Sequence, residues 1–306
     1  MKSNEPKCLL TCEVLWDCFP DREILGGATL NVAYHLHQLN TRVVLTSSVG
    51  ADRLGKLAMR QIHDKWGCDT RFIRTLDDVP TGRVIVTLDA RGDATYEVGA
   101  PAAWDHIEIP AEAVAMAPDA FVYGSVALRS DYNKRSFSRF LDSYKGLSCF
   151  DANLRPPHNS VEMVLEYAAR AGFLKMNEEE LGVLARAAEC QGGYLEQTMV
   201  RLAGKLGLNT LCVTRAAEPA AMLWHDTVYH GSIFRVDVKD TVGAGDAFFA
   251  CMIDSLLHPG FEPVTALTRA TALGSWVASK AGAQPEYDDT MPSGIRRIKL
   301  TGKDML

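Results

Sequence analysis

The chain has 306 residues, 47% of them apolar and 23% charged, with a net charge of −6. That profile fits an ordinary folded chain and gives no electrostatic footprint for nucleic acid or an anionic membrane. No apolar stretch is long enough to span a bilayer, and the opening MKSNEPKCLL lacks the apolar core of a secretory leader, so a cytoplasmic protein is expected.

Short apolar runs alternate with amphipathic segments along the chain. CLLTCEVLW reads as the first strand, Leu30 to Leu39 as a helix, TRVVLTSS as a strand and Leu54 to Trp66 as a helix. Residues 81–104, TGRVIVTLDARGDATYEVGAPAAW, break the rhythm. They form two β-rich stretches joined by DARGDA, a hairpin with no helix beside it. Such an insert is either a lid or dimer surface, or an edge hairpin with no further role. The alternation then resumes with DAFVYGS, Tyr132 to Tyr144, LSCFDAN, Val161 to Ala171, GFLKMN, Glu179 to Ala188 and NTLCVT. This order predicts an α/β fold with a mainly parallel central sheet flanked by helices on both faces. No linker or internal repeat interrupts it, so a single domain over 1–306 is expected. Eight cysteines lie scattered without a CxxC pair, several in apolar runs, and read as reduced buried thiols.

Two apparent motifs fail on their chemistry. GADRLGKL matches GxxxxGK, but Leu57 stands where a Ser or Thr hydroxyl would hold magnesium. GAGDAF has no third glycine at dinucleotide-binding spacing and lies near the end of the chain. His35 and His37 have no third ligand in spacing with them and read as ordinary helix residues.

DTVGAGDAFFA, Asp240 to Ala250, is the most informative stretch. Phe248, Phe249, Met252, Ile253, Leu256 and Leu257 form two i, i+4 series, which predicts a buried helix beginning near Ala244. Gly243 and Gly245 open its first turn, where free N–H groups and the helix dipole make an anion-binding concavity. Asp246 lies in the same turn. It reads either as a capping aspartate or as a carboxylate placed to take a proton from an alcohol beside a phosphate.

Taken together, these stretches resemble the ribokinase-like (PfkB) carbohydrate kinases, bacterial fructokinases in particular. DTVGAGDAFF is similar to the family's C-terminal signature, and GGATLNVAYHLHQL with SSVGADRLG to its N-terminal one. EVLWDCFP, the lid-like PTGRVIVTLDARGDATYEV, FDANLRPP, LKMNEEEL and VASKAGAQPE follow in the family's order. The resemblance implies a ribokinase-like fold with a small β-sheet lid, its strands at about 13–25 and 81–104. It makes Asp246 the general base and the Gly243, Ala244 and Gly245 amides the stabilisers of the transferring phosphoryl group. Asp17, Gly26, Gly27, Asn31, Tyr96 and Arg155 fall on the sugar side, with Asp151 and Asn153 as weaker candidates.

The resemblance places Asn177 and Glu180 near magnesium and its waters, and Thr214 with Gly243 and Gly245 on the nucleotide side. It allows a monovalent cation, K+, near Asp240 to Val242 and Ala281 to Gly282. Plainer readings stand beside these: a turn aspartate at Asp17, a capping box from Asn177 to Glu180, and a solvated side chain at Arg155.

The pattern is broken at Cys12, Ala216, Pro219 and Cys251, and the first lid segment is short. Ala216 and Pro219 replace glycines of the loop that shapes the family's nucleotide pocket. The expected enzyme is an ATP- and Mg2+-dependent fructokinase acting on the 6-hydroxyl of D-fructose, a partner of small molecules and not of nucleic acid or membrane. A homodimer formed through the lid is compatible with it. Ribose, 2-keto-3-deoxygluconate or a nucleoside as substrate, or a catalytically weak sugar-binding regulatory relative, are the alternatives.

Overall fold

The computed structural model describes residues 5–88, 94–216 and 218–295, without the side chains of residues 88 and 94–96. The hairpin tip at 89–93 and Ala217 of the altered loop lie outside the described residues.

The opening run is not one strand. β1 (Lys7–Thr11) enters the main sheet, while β2 (Leu15–Cys18) turns away to pair with β3 (Glu23–Gly26) in a smaller one. Glu13 marks the break: its buried carboxylate accepts from the Thr29 and Ala127 N–H groups, each at 3.1 Å. A fully buried carboxylate needs such donors, and a continuous strand would aim it elsewhere.

The chain continues through α1 (Ala28–Gln38), β4 (Arg42–Gly50), α2 (Arg53–Arg60) and β5 (Ile73–Leu76). A π-helical turn, Gln61–Lys65, completes the helix expected up to Trp66. β6 (Gly82–Leu88) and β7 (Ala94–Val98) form the expected antiparallel hairpin. Beyond Val98 the segment leaves the small sheet, and Trp104 is fully buried. Within 81–104 the small-sheet strands are therefore Gly82–Leu88 and Ala94–Val98.

After α3 (Ala111–Ala115), the βα rhythm runs β8 (Ala120–Gly124), α4 (Asp131–Ser143), β9 (Leu147–Asp151), α5 (Val161–Ala168), β10 (Phe173–Asn177) and α6 (Glu178–Ala187). α7 (Leu195–Leu206), β11 (Thr210–Thr214), β12 (Ala221–Trp224), β13 (Thr227–His230), α8 (Ala244–Leu256) and α9 (Pro263–Ala278) complete it.

The main sheet has nine strands in the order β13-β12-β11-β10-β9-β8-β1-β4-β5, parallel from β11 to β5 with an antiparallel edge at β12 and β13. The small sheet runs β3-β2-β6-β7. β1 is followed in the sheet by β4 on one side and β8 on the other, so the strand order reverses there. In doubly wound sheets the carboxyl ends beside such a reversal form a crevice for ligands. Glu13 sits at that point, and its two donors are the first turns that follow β3 and β8.

α8 is buried on all sides from Ala247 to Ser255, packed between α1 and α9. A buried polar cluster fixes its far end: Asp254 accepts from Thr41 Oγ1 at 2.8 Å and from Arg269 Nη1 at 2.6 Å. Arg269→Met should leave the Asp254 carboxylate buried without its cation and lower stability by about 3–5 kcal/mol. Urea denaturation would measure it, and a loss within experimental error would mean that the cluster does not hold α8 in place.

Candidate functional site

The first turn of α8 emerges at the carboxyl ends of the strands. Its N-cap is Gly243, in the left-handed region at φ 78°. A Cβ there would come within 2.4 Å of the Ala283 Cβ, so both backbone and space require glycine. Ala244 N is held in a turn to the Thr241 carbonyl at 3.3 Å. The Gly245 and Asp246 amides belong to the first helical turn, which has no intrahelical acceptors.

Asp246 is not the cap. The N-cap is a glycine with no side-chain capping bond, and the Asp246 carboxylate accepts from Asn31 Nδ2 at 2.8 Å. Asn31 Oδ1 in turn accepts from Gln284 Nε2 at 2.7 Å. Burial pushes the Asp246 carboxyl up to about 7, reinforced by the negative charge of Asp151 and opposed by Lys175 and the Asn31 bond.

Beneath this turn Asp151, one of the weaker candidates, pairs with Lys175, which no motif pointed to. Lys175, inside β10, donates to both Asp151 oxygens at 3.0 and 3.2 Å, and both side chains are buried. A Cβ on Gly245 would lie 3.3 Å from the Lys175 ammonium. Burial alone would lower Lys175, but the charges of Asp151, Glu180 and Asp246 raise it on balance, so it stays a cation. A lone lysine inside the apolar run GFLKMN was the available signal.

The second group lies on the small sheet. Asp17 belongs to β2 and pairs with Ile24 and Val84 in register, so it is a strand residue and not a turn aspartate. Burial pushes its carboxyl up to about 6. The missing side chain of Gly26 makes room for it: a Cβ there would lie 2.8 Å from Asp17 Oδ2. Gly27, at φ 122°, passes so close to Glu13 that a Cβ would fall 1.7 Å from the Glu13 carbonyl oxygen. The Gly27 carbonyl then accepts from Asn31 N at 2.8 Å, which joins the lid strand to the helix that touches Asp246. Tyr96 is in β7, and its side chain lies outside the described ones.

Asn177 and Glu180 form a capping box, each accepting from the other's N–H at 2.8 Å. The second Glu180 oxygen accepts from Leu154 N at 2.8 Å. Burial and Asp151 raise the Glu180 carboxyl. Backbone donors thus engage both oxygens, and the described residues hold no group of three His, Cys, Asp or Glu disposed around a metal.

Arg155 is exposed, its guanidinium donating to the Leu154 carbonyl at 3.0 Å. Thr214 ends β11, with its hydroxyl 3.4 Å from the Met176 carbonyl. Asp240 accepts from Val242 N and Gly282 N, each at 3.0 Å, and so joins the two segments expected around a monovalent cation.

The profile of the pfkB family carbohydrate kinases matches residues 17–290, and the chain belongs to that family. It is therefore a sugar kinase with a ribokinase-like fold, a phosphotransferase with an alcohol acceptor. Among its relatives, the deoxyribokinase of Salmonella typhi is 24% identical over 266 residues, covering 86% of this chain and 84% of that one. The fructokinase of Klebsiella pneumoniae is 26% identical over 299 residues, covering 90% and 95%. The crystal structure of a Xylella fastidiosa fructokinase with bound ATP superposes with a TM-score of 0.80 at 22% identity, covering 90% of this chain and 94% of its own.

The raised Asp246 carboxyl has a consequence for stability. Between its ordinary value of 3.8 and about 7, the folded chain holds a proton that the unfolded chain lacks. Its contribution is thus fully present in acid and is lost as the pH rises through 7. Asp246→Asn should therefore be more stable than wild type at pH 8, by about 1–4 kcal/mol, and similar near pH 4. Urea denaturation at the two pH values checks this. A capping aspartate would show the reverse, a loss at pH 8.

Proposed function

We propose that this protein is an ATP-dependent fructokinase that transfers the γ-phosphate to the 6-hydroxyl of D-fructose, with Asp246 as general base. The observation that carries this reading is the Asp246 carboxyl in the first turn of α8, oriented by Asn31 and titrating near 7. A base is most effective when it titrates near the working pH.

Asp17 accepts hydrogen bonds from sugar hydroxyls, and burial makes each such bond matter more. Asp246 removes the proton from the attacking hydroxyl. The charge on the transferring phosphoryl group meets the first-turn amides around Gly243 and Gly245, which lie above the Lys175 ammonium. Mg2+ would arrive with the ATP phosphates and neutralise their charge, with Asn177 and Glu180 reaching it through water because backbone donors engage their oxygens. Thr214 and the loop that follows it are assigned to the nucleotide side.

Fructose is favoured by EVLWDCFP and PAAWDHI, and by relatives named fructokinase. The relative named deoxyribokinase keeps a pentose as the second reading.

ADP release with magnesium, assayed on D-fructose, D-ribose, 2-deoxy-D-ribose, 2-keto-3-deoxygluconate and a nucleoside, decides between them. D-fructose should give the highest kcat/KM, and Asp17→Ala should raise its KM roughly ten- to a hundredfold. A pentose or nucleoside ahead of fructose by about tenfold, a difference of about 1.4 kcal/mol, overturns the fructose assignment.

A further inference from the structure

We infer that Gln284 is a positioning residue: by donating to Asn31 it decides which end of the Asn31 amide meets Asp246. Two hydrogen bonds in series set the orientation of the Asn31 amide. Gln284 Nε2 donates to Asn31 Oδ1 at 2.7 Å, and Asn31 Nδ2 donates to Asp246 Oδ2 at 2.8 Å. An amide has a donor end and an acceptor end, so fixing one fixes the other. Reversing Asn31 would set its oxygen against the Asp246 oxygen and its N–H2 against the Gln284 N–H2. Both contacts are repulsive while the Gln284 amide keeps its N–H2 toward Asn31, so the two bonds favour the same orientation of Asn31.

The segment that carries Gln284 is itself anchored to α1. Tyr34 donates to the Pro285 carbonyl at 2.7 Å. His35 lies 2.9 Å from the Ala283 carbonyl through Nε2 and 2.9 Å from the Tyr287 hydroxyl through Nδ1. Burial pushes His35 down to about 4, so the ring is neutral; Nε2–H donates to Ala283 and Nδ1 accepts from Tyr287. Asn31, Tyr34 and His35 lie at i, i+3 and i+4 on one face of α1, and together they present the 283–287 segment to Asp246.

Gln284 changes the proton affinity of Asp246 through this relay. A carboxylate that accepts an N–H keeps its charge more easily, and one that faces an amide oxygen keeps its proton. The other charged groups around Asp246 are Asp151 from β9, Lys175 from β10 and Glu13 after β1. On α1, His35 is turned to Ala283, and on α9, Arg269 is committed to Asp254 at the far end of α8. Gln284 adds no charge of its own. It acts by holding Asn31 with the donor toward Asp246.

The test titrates the Asp246 carboxyl by carbon NMR, with the signal assigned by its absence in Asp246→Asn. In Gln284→Leu the donor is lost and Asn31 is free to turn, and the midpoint should rise by about one pH unit. In Gln284→Glu, of the same shape, the new carboxylate accepts from Asn31 Nδ2 and turns the Asn31 oxygen toward Asp246. The rise should then be larger. Midpoints equal to wild type in both variants overturn the proposal. Only the catalytic consequence rests on Asp246 being the base: the acid limb of kcat should move with the midpoint while melting temperatures stay close to wild type. A midpoint that moves with an unmoved acid limb leaves the relay standing and refutes the base.

Discussion

A buried lysine needs a partner, and the position of that partner organises this site. Lys175 and Asp151 are opposed in the register of β10 and β9, so the pairing of two parallel strands brings ammonium and carboxylate within 3.0 Å. Breaking such a pair leaves an uncompensated charge in the interior, which is costly. Asp151, Glu180 and Asp246 all act on this ammonium, so negative charge exceeds positive around it. Asp151 is held by Lys175, and Glu180 by two backbone amides. Asp246 has the Asn31 bond, and it is the carboxyl whose proton is held to about 7. Burial, reinforced by this charge balance, thus leaves a carboxyl in the first turn of α8 that holds its proton to near neutral pH.

The lid side depends on a second buried carboxylate. Glu13 gathers the start of α1 and the turn after β8 at the point where the strand order reverses. Its backbone leaves room for Gly27 and for no larger residue. Asp17 and Asn31 are thereby set on either side of one short turn, one on the small sheet and one facing α8. Of the altered positions in the family pattern, Cys12 is buried directly before Glu13, Cys251 is buried within α8, and the loop with Pro219 joins β11 to β12.

Local pattern carried much of the architecture. The buried helix from Ala244 was visible in two i, i+4 series, and the hairpin in alternation about a turn, because both depend on neighbours in sequence. β12 and β13 were missed: each has four residues, too short for periodicity to register. α9 was not predicted, its small residues giving little amphipathic contrast. The Asn177 capping box was readable at its spacing of three and is present. The partners of Asp246 were not readable. Gln284 is 253 residues from Asn31, and Asn31 is 215 from Asp246, so only the fold brings them together. Asn31 was expected on the sugar side, and its bonds to Asp246 and Gln284 could not be read from the sequence.

The central claim is that Asp246 takes the proton from the substrate hydroxyl. The most direct measurement is kcat of Asp246→Asn beside its affinities for ATP and sugar. Asparagine keeps the shape and the bond to Asn31 but cannot accept the proton. The account predicts that both ligands still bind and that kcat falls by roughly 10²–10⁴. A folded variant that keeps most of its turnover would contradict it.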